Sequence, residues 1–202
     1  MHSPLTTVLF DWGGVVADDP GDDFLKQLLA QLGATDTQIQ EIMDTYMYRF
    51  MRGQISEVEY WSEINRQYGL KIHDSISDEF KKWSGLSANQ DVLALIAEVK
   101  AKGIRVALLS NVIEPTYNVL EQAGYYDQFD ELIASCKVSF AKPQPEIYQL
   151  ALDKLHVSAS ESLFIDDKQS NLTPANELGL TTILAKNPAQ IITDVRAALE
   201  VS

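Results

Sequence analysis

The chain has 202 residues, 46% of them hydrophobic and 22% charged, which suits one ordinary domain, or a domain carrying an insertion, and argues against disorder. Its net charge of -13, with no basic run, disfavours nucleic acid and anionic membrane as partners; an anionic metabolite would need local positive charge from a metal ion, a lysine or helix N-termini. Cys136 is alone, so a disulfide framework and a cysteine metal site are excluded; the start MHSPLTT has no basic n-region, no apolar run approaches membrane-spanning length, and a soluble cytoplasmic protein is expected.

The first predicted strand is TTVLF, Thr6 to Phe10. It ends in a carboxylate, Asp11, with Gly13 and Gly14 close behind. Residues 17–87 then read as entirely helical. Phe24, Leu25, Leu28, Leu29 and Leu32 form one apolar stripe, and Ile39, Ile42, Tyr46, Met47 and Phe50 a second. Tyr60, Trp61, Ile64 and Tyr68 form a third. Thr35 with Gln38, and Ser56 with Glu59, have capping-box spacing.

A helix carrying Val92, Leu95, Ile96 and Val99 follows, with Gly103 at its end. It leads into IRVALLS, Ile104 to Ser110, and then Asn111. ELIAS, Glu131 to Ser135, runs into CKVSFAKPQPEIY, which carries Lys137 and Lys142. Pro145 suits the first turn of a helix bearing Ile147, Leu150, Ala151 and Leu155. SLFID, Ser162 to Asp166, is followed by Asp167. A short helix closed by Gly179 precedes TTILAK, Thr181 to Lys186.

The five strand-like runs are nearly continuous apolar stretches rather than alternating ones, as suits strands buried on both faces. Alternation with helices then predicts an α/β fold: a doubly wound parallel, Rossmann-like core with a small all-helical insertion after the first strand. The core would comprise residues 1–16 and 88–202, and the insertion residues 17–87.

Ligands of open α/β sheets bind beyond the carboxyl ends of the strands. Asp11, Ser110, Asn111, Lys142, Asp166 and Asp167 all follow or close predicted strands. Singly, each has an ordinary reading as a turn, a cap or a surface lysine. Together they crowd three carboxylates, so that either one holds a proton or a cation sits among them. Mg²⁺ accepts oxygen donors of this kind, and Lys142 would pair with the remaining negative charge or with a phosphoryl group.

The stretches VLFDWGGVV, VALLSNV, AKPQPEIY and LFIDDKQSNLTPANELGL, in this order, resemble the four motifs of the haloacid dehalogenase-like hydrolase superfamily. The likeness is greatest to its sugar-phosphate phosphatase and epoxide-hydrolase N-terminal-domain branch, and the helical insertion falls where that family places a cap. The resemblance implies that Asp11 is a nucleophile forming an aspartyl-phosphate. Mg²⁺ would be held by Asp11, the Gly13 carbonyl and Asp167, with Asp166 supporting the metal site. Ser110 and the Asn111 amide N–H would hold phosphoryl oxygens, and Lys142 would neutralise the nucleophile and the transferring group. The expected partner is a small phosphorylated molecule.

One position departs from the family pattern. Most of its phosphatases carry a second Asp two residues after the nucleophile, as general acid and base, where this chain has Gly13. Three readings follow: a phosphatase for substrates with good leaving groups, such as anomeric sugar or acyl phosphates; a metal-independent 2-haloacid dehalogenase; or a low-turnover phosphate-binding or interaction module. Asp18 and Glu114 are candidate substitute acids. Arg49, Arg52, Tyr46, Tyr48 and Trp61 are candidates to face the substrate from the cap, while His73 and His156 are expected at the surface.

Overall fold

The computed structural model describes residues 4–18, 21–70 and 87–200; His73 lies outside them. All five strands form: β1 (Thr7–Phe10), β2 (Arg105–Ser110), β3 (Glu131–Ala134), β4 (Ser162–Asp166) and β5 (Thr181–Leu184). They pair in parallel in the order β3-β2-β1-β4-β5. The chain order reverses between β1 and β4, the switch point where doubly wound sheets place their ligands.

The apolar runs are explained by burial on both faces. Val8, Phe10, Val106, Leu108, Leu163 and Ile165 pack into one core with residues of helices α5 (Gln90–Ala101) and α10 (Pro188–Glu200). Their neighbours in the strands, Leu9, Ala107, Leu109, Ile133 and Phe164, pack into a second core. That core is completed by helices α8 (Pro145–Leu155) and α9 (Gln169–Glu177). In α8 the buried set is Ile147, Tyr148, Ala151, Leu152 and Leu155, so Tyr148 and Leu152 join the predicted stripe and Leu150 lies half-buried at its border.

Beyond the turn at residues 11–18, the described part of the segment after β1 consists of helices and the short turns that join them. It contains α1 (Gly21–Gln31), α2 (Asp36–Glu41), a π-helical stretch Ile42–Met47, α3 (Tyr48–Met51) and α4 (Glu57–Tyr68). The three predicted stripes meet in a core of their own, which includes Leu25, Leu29, Ile42, Phe50, Tyr60 and Ile64 and takes one residue, Ile113, from the loop after β2. Both capping boxes form. Thr35 N–H donates to Gln38 Oε1 at 2.9 Å and Gln38 N–H to Thr35 Oγ1 at 3.3 Å. Ser56 N–H donates to Glu59 Oε2 at 2.8 Å and Glu59 N–H to Ser56 Oγ at 3.2 Å.

The insertion leaves the sheet through a narrow neck. Trp12 C=O accepts the N–H groups of Val16 at 2.8 Å and Ala17 at 2.9 Å, Ala17 bridges Ala88, and Asn89 N–H donates to Val16 C=O at 2.7 Å. No helix among the described residues is long and apolar enough to cross a membrane.

Replacing Ser56 with Ala removes the hydroxyl that accepts from Glu59 N–H at the start of α4 and leaves the main-chain half of the box in place. The expected cost is about 1 kcal/mol, read as a lower midpoint in urea unfolding with an unchanged slope.

Candidate active site

Register places the acids. Phe10 pairs with Ile165 across β1 and β4, and Asp11 N–H donates to Ile165 C=O at 3.0 Å. Asp11 therefore emerges beside Asp166, the last residue of β4. On the other side Phe10 pairs with Leu108, so Ser110 lies one residue beyond Asp11 along the sheet edge. The Ser110 hydroxyl lies close enough to the Asp11 carboxylate to favour its charged form.

Lys142 closes the cluster. Its ammonium is fully buried, 2.9 Å from Asp11 Oδ2 and 2.6 Å from Asp166 Oδ2. It also lies 5.4 Å from the centre of the Phe164 ring, within range of a favourable cation–π contact. Asn111 holds the main chain of this lysine. Lys142 N–H donates to Asn111 Oδ1, and Asn111 Nδ2 donates to Lys142 C=O, both at 2.8 Å. The Asn111 side chain is thus committed to Lys142, which leaves its main-chain N–H as the donor available for the phosphate contact expected of this residue.

Asp166 is wholly buried and its oxygens are engaged from several sides. Oδ1 accepts from Lys168 N–H at 2.8 Å and from Asn171 Nδ2 at 2.9 Å, while Oδ2 accepts from Lys142. Asn171 is in turn fixed by the Tyr148 hydroxyl, which donates to its carbonyl at 2.7 Å. Sequence reasoning did not single out Asn171, although it lies in the fourth motif, two residues into a helix that starts directly beyond the acidic pair.

Asp11, Asp166 and Asp167 each offer an oxygen, all within 4.8 Å of one another. An all-oxygen, anionic set suits a hard divalent ion such as Mg²⁺. Gly14 supplies the second sign of a built site. Its φ is +73°, and a Cβ there would lie 2.5 Å from Asp167 Cγ, so a side chain would displace that carboxylate. Burial, foremost, pushes Asp11 above the usual carboxylate range, to about 7; Lys142 pulls it back and Asp166 adds to the rise. A cation among the three acids would reverse that balance.

The remaining candidates divide sharply. Lys137 is spent on Glu114 at 2.8 Å and lies over Tyr117 rather than at the site. Arg49 pairs with Glu63 at 2.8 Å, Tyr46 meets Tyr68 edge-on, and Trp61 packs on Tyr60 inside the helical core. Arg52 is different. It stacks 4.5 Å above Tyr48 and reaches across to Gln144, two residues from Lys142. His156 is exposed at the C-cap of α8, as expected, in a left-handed conformation.

The family model of haloacid dehalogenase-like hydrolases matches residues 5–179. The chain belongs to this family of hydrolases. It is 30% identical over 183 residues to the sesquiterpene phosphatase astK of Aspergillus oryzae, covering 89% of each chain. It is 27% identical to the D-ribitol-5-phosphate phosphatase of Bacteroides thetaiotaomicron, covering 92% of this chain and 94% of that one. It spans 19% of the length of another curated relative, at 27% identity. Among solved structures, a HAD-family enzyme from Bacteroides thetaiotaomicron in complex with magnesium and inorganic phosphate superposes with a TM-score of 0.73. That likeness covers 90% of this chain and 94% of the other at 22% identity, and is a likeness of fold.

Two outcomes are expected. Gly14→Ala should weaken Mg²⁺ binding at least tenfold by calorimetry, whereas Gly33→Ala, with nothing within 4 Å of the new Cβ, should carry backbone strain alone and leave the affinity unchanged. Because Asp11 must be deprotonated to bind a cation, apparent Mg²⁺ affinity should be flat above pH 7 and fall by up to about tenfold per unit below it, in titrations from pH 8 to 5.5.

Proposed function

We propose that the chain is a Mg²⁺-dependent phosphomonoester hydrolase of small phosphorylated metabolites, acting through an aspartyl-phosphate at Asp11. The observation that carries this reading is a nearly buried carboxylate held 2.9 Å from a buried ammonium, beside two further acids that gather within reach of one ion. The two phosphatases among its relatives support it. In this reading residues 17–87 act as a cap over a core of residues 1–16 and 88–202.

Asp11 attacks phosphorus through one carboxylate oxygen. The new O–P bond forms as the bond to the leaving oxygen breaks, and that oxygen departs with the electron pair. Water then cleaves the aspartyl-phosphate and frees phosphate. Asp11, the Gly13 carbonyl and Asp167 would hold Mg²⁺, which when bound offsets the repulsion between a dianionic phosphate and the nucleophile. Asp166 holds Lys142 in place, and Lys142 balances the nucleophile's charge. The Ser110 hydroxyl and the Asn111 N–H donate to phosphoryl oxygens.

Gly13 offers no acid to the leaving group. A general acid contributes roughly 10²–10⁴ in rate. Its absence favours substrates whose leaving oxygen departs with little protonation, such as sugar 1-phosphates or acyl phosphates. Glu114 is a poor substitute, since its carboxylate is tied to Lys137 at 2.8 Å.

The test is a screen of sugar 1-phosphates, sugar 6-phosphates and acyl phosphates with Mg²⁺, on the native chain and on Asp11→Asn. Asp11→Asn should fold normally by circular dichroism and release no phosphate, and excess chelator should abolish turnover of the native chain. Full activity in either case would reject the covalent or the metal role. Metal-independent release of chloride from 2-chloropropionate would make the chain a haloacid dehalogenase instead. Mg²⁺-dependent phosphate binding without turnover of any ester would make it a binding module.

A further inference from the structure

Lys142 sits in a turn that is closed on itself and then tied to the helical insertion. Gln144 N–H donates to Ala141 C=O at 2.8 Å. The Gln144 side chain returns the contact: its Oε1 accepts from Ala141 N–H at 3.0 Å. The same oxygen accepts from Arg52 Nη1 at 3.4 Å. Arg52 itself is braced by the face of Tyr48 and by a second hydrogen bond, Nη2 to Gln54 Oε1 at 2.6 Å. One amide oxygen therefore joins an arginine of the insertion to the main chain that carries the buried ammonium.

A second, separate tie leads from the insertion, one residue before Arg52, to the loop after β2 by way of Ser135. The Ser135 hydroxyl donates to Met51 C=O at 2.6 Å and accepts from Val112 N–H at 2.9 Å. Val112 is two residues past Ser110. Between these ties lies Gly53, with φ +62° and with room for no side chain, because a Cβ would fall 2.2 Å from Cys136 C=O. Residues 51–53 thus rest on the segment after β3, which carries Lys142, and reach the loop after β2 through the Ser135 hydroxyl. Asn111 already binds those loops to each other.

We propose that Arg52 and Gln144 are positioning residues: docking of the Met51–Gly53 turn fixes Lys142 between Asp11 and Asp166 through the Gln144 amide. Neither residue touches the reacting atoms in this scheme. Arg52 acts on Gln144, Gln144 orients the Ala141–Lys142 peptide, and the lysine ammonium keeps its place between two acids. The proposal rests on the phosphatase reading for its catalytic consequence, and on the hydrogen-bond chain alone for its structural one.

The experiment pairs hydrogen exchange at the Ala141 and Lys142 amides with steady-state kinetics, on the native chain, Arg52→Met, Gln144→Leu, the double variant and Gln144→Glu. Both single variants should lose at least tenfold of the protection at these amides and lower kcat about tenfold with little change in KM. The double variant should be no worse than the poorer single one, and Gln144→Glu, which keeps the acceptor, should restore the protection. Unchanged protection in Arg52→Met overturns the proposal, and so does a rise in KM alone, which would make Arg52 a substrate contact. If protection falls as expected while even the native chain hydrolyses no phosphate ester, the positioning stands and the phosphatase reading fails.

Discussion

A buried ammonium wedged between two buried carboxylates is the constraint on which this site depends. Taking one ion out of water costs several kcal/mol, so Lys142 is stable there only because Asp11 and Asp166 receive it at 2.9 and 2.6 Å. The acids in turn are brought together by sheet register alone, one closing β4 and the other following β1 directly. With Asp167 counted, three acids gather within reach of one ion, and Lys142 stands between two of them. A divalent ion suits such a cluster, and so does a proton: burial, foremost, displaces Asp11 upward, and Asp166 adds to the rise. The same crowding of buried acids that makes the site costly makes it a receptor for a cation, and with the cation for an anion.

The surrounding residues restrict that cluster from each side. Asn171 and the Lys168 N–H fasten Asp166, and the Tyr148 hydroxyl fastens Asn171. Asn111 fastens the lysine main chain at both its N–H and its C=O. Hydrogen bonds to charged groups are worth about 1.5–3 kcal/mol each, against about 1 for neutral ones, so such a network both stabilises and orients. The two glycines beside Asp11 have different tasks. Gly14 adopts a left-handed conformation that lets its main chain pass within contact of Asp167. Gly13 stands where the family resemblance leads one to expect a second acid, and in the proposed reaction its consequence is chemical.

Much of this was legible in the sequence, and for a definite reason. A strand buried on both faces must be apolar at nearly every position, so β1, β2 and β4 were visible as apolar runs whose ends marked where polar groups emerge; the edge strands β3 and β5, only partly buried, showed more mixed ones. Observed ends differ from expected ones by at most two residues, as at Thr181–Leu184. The capping boxes were legible because they are local, three residues apart. The π-helical stretch Ile42–Met47 was not, since an apolar stripe continues through it. Nor were the contacts that join distant segments, such as Ser135 to Met51 or Gln144 to Arg52, because no spacing along the chain encodes them. Asn111 was noticed, but its side chain turns to the lysine peptide, a use that only the folded loop reveals.

The glycine at position 13 and the density of contacts around Lys142 bear on each other. In the proposed reaction no protein acid assists the leaving group, so a larger share of the barrier must be lowered by charge placed near the phosphoryl oxygens. Such stabilisation depends steeply on geometry, because donors gain most at about 2.7–3.1 Å from the developing charge. A lysine free to sample several rotamers would forfeit much of it. Two acids, an aromatic face and a main chain held at both ends leave this one little such freedom. In that reading a site without acid catalysis can tolerate little slack in its lysine, and the chain places buried polar contacts there.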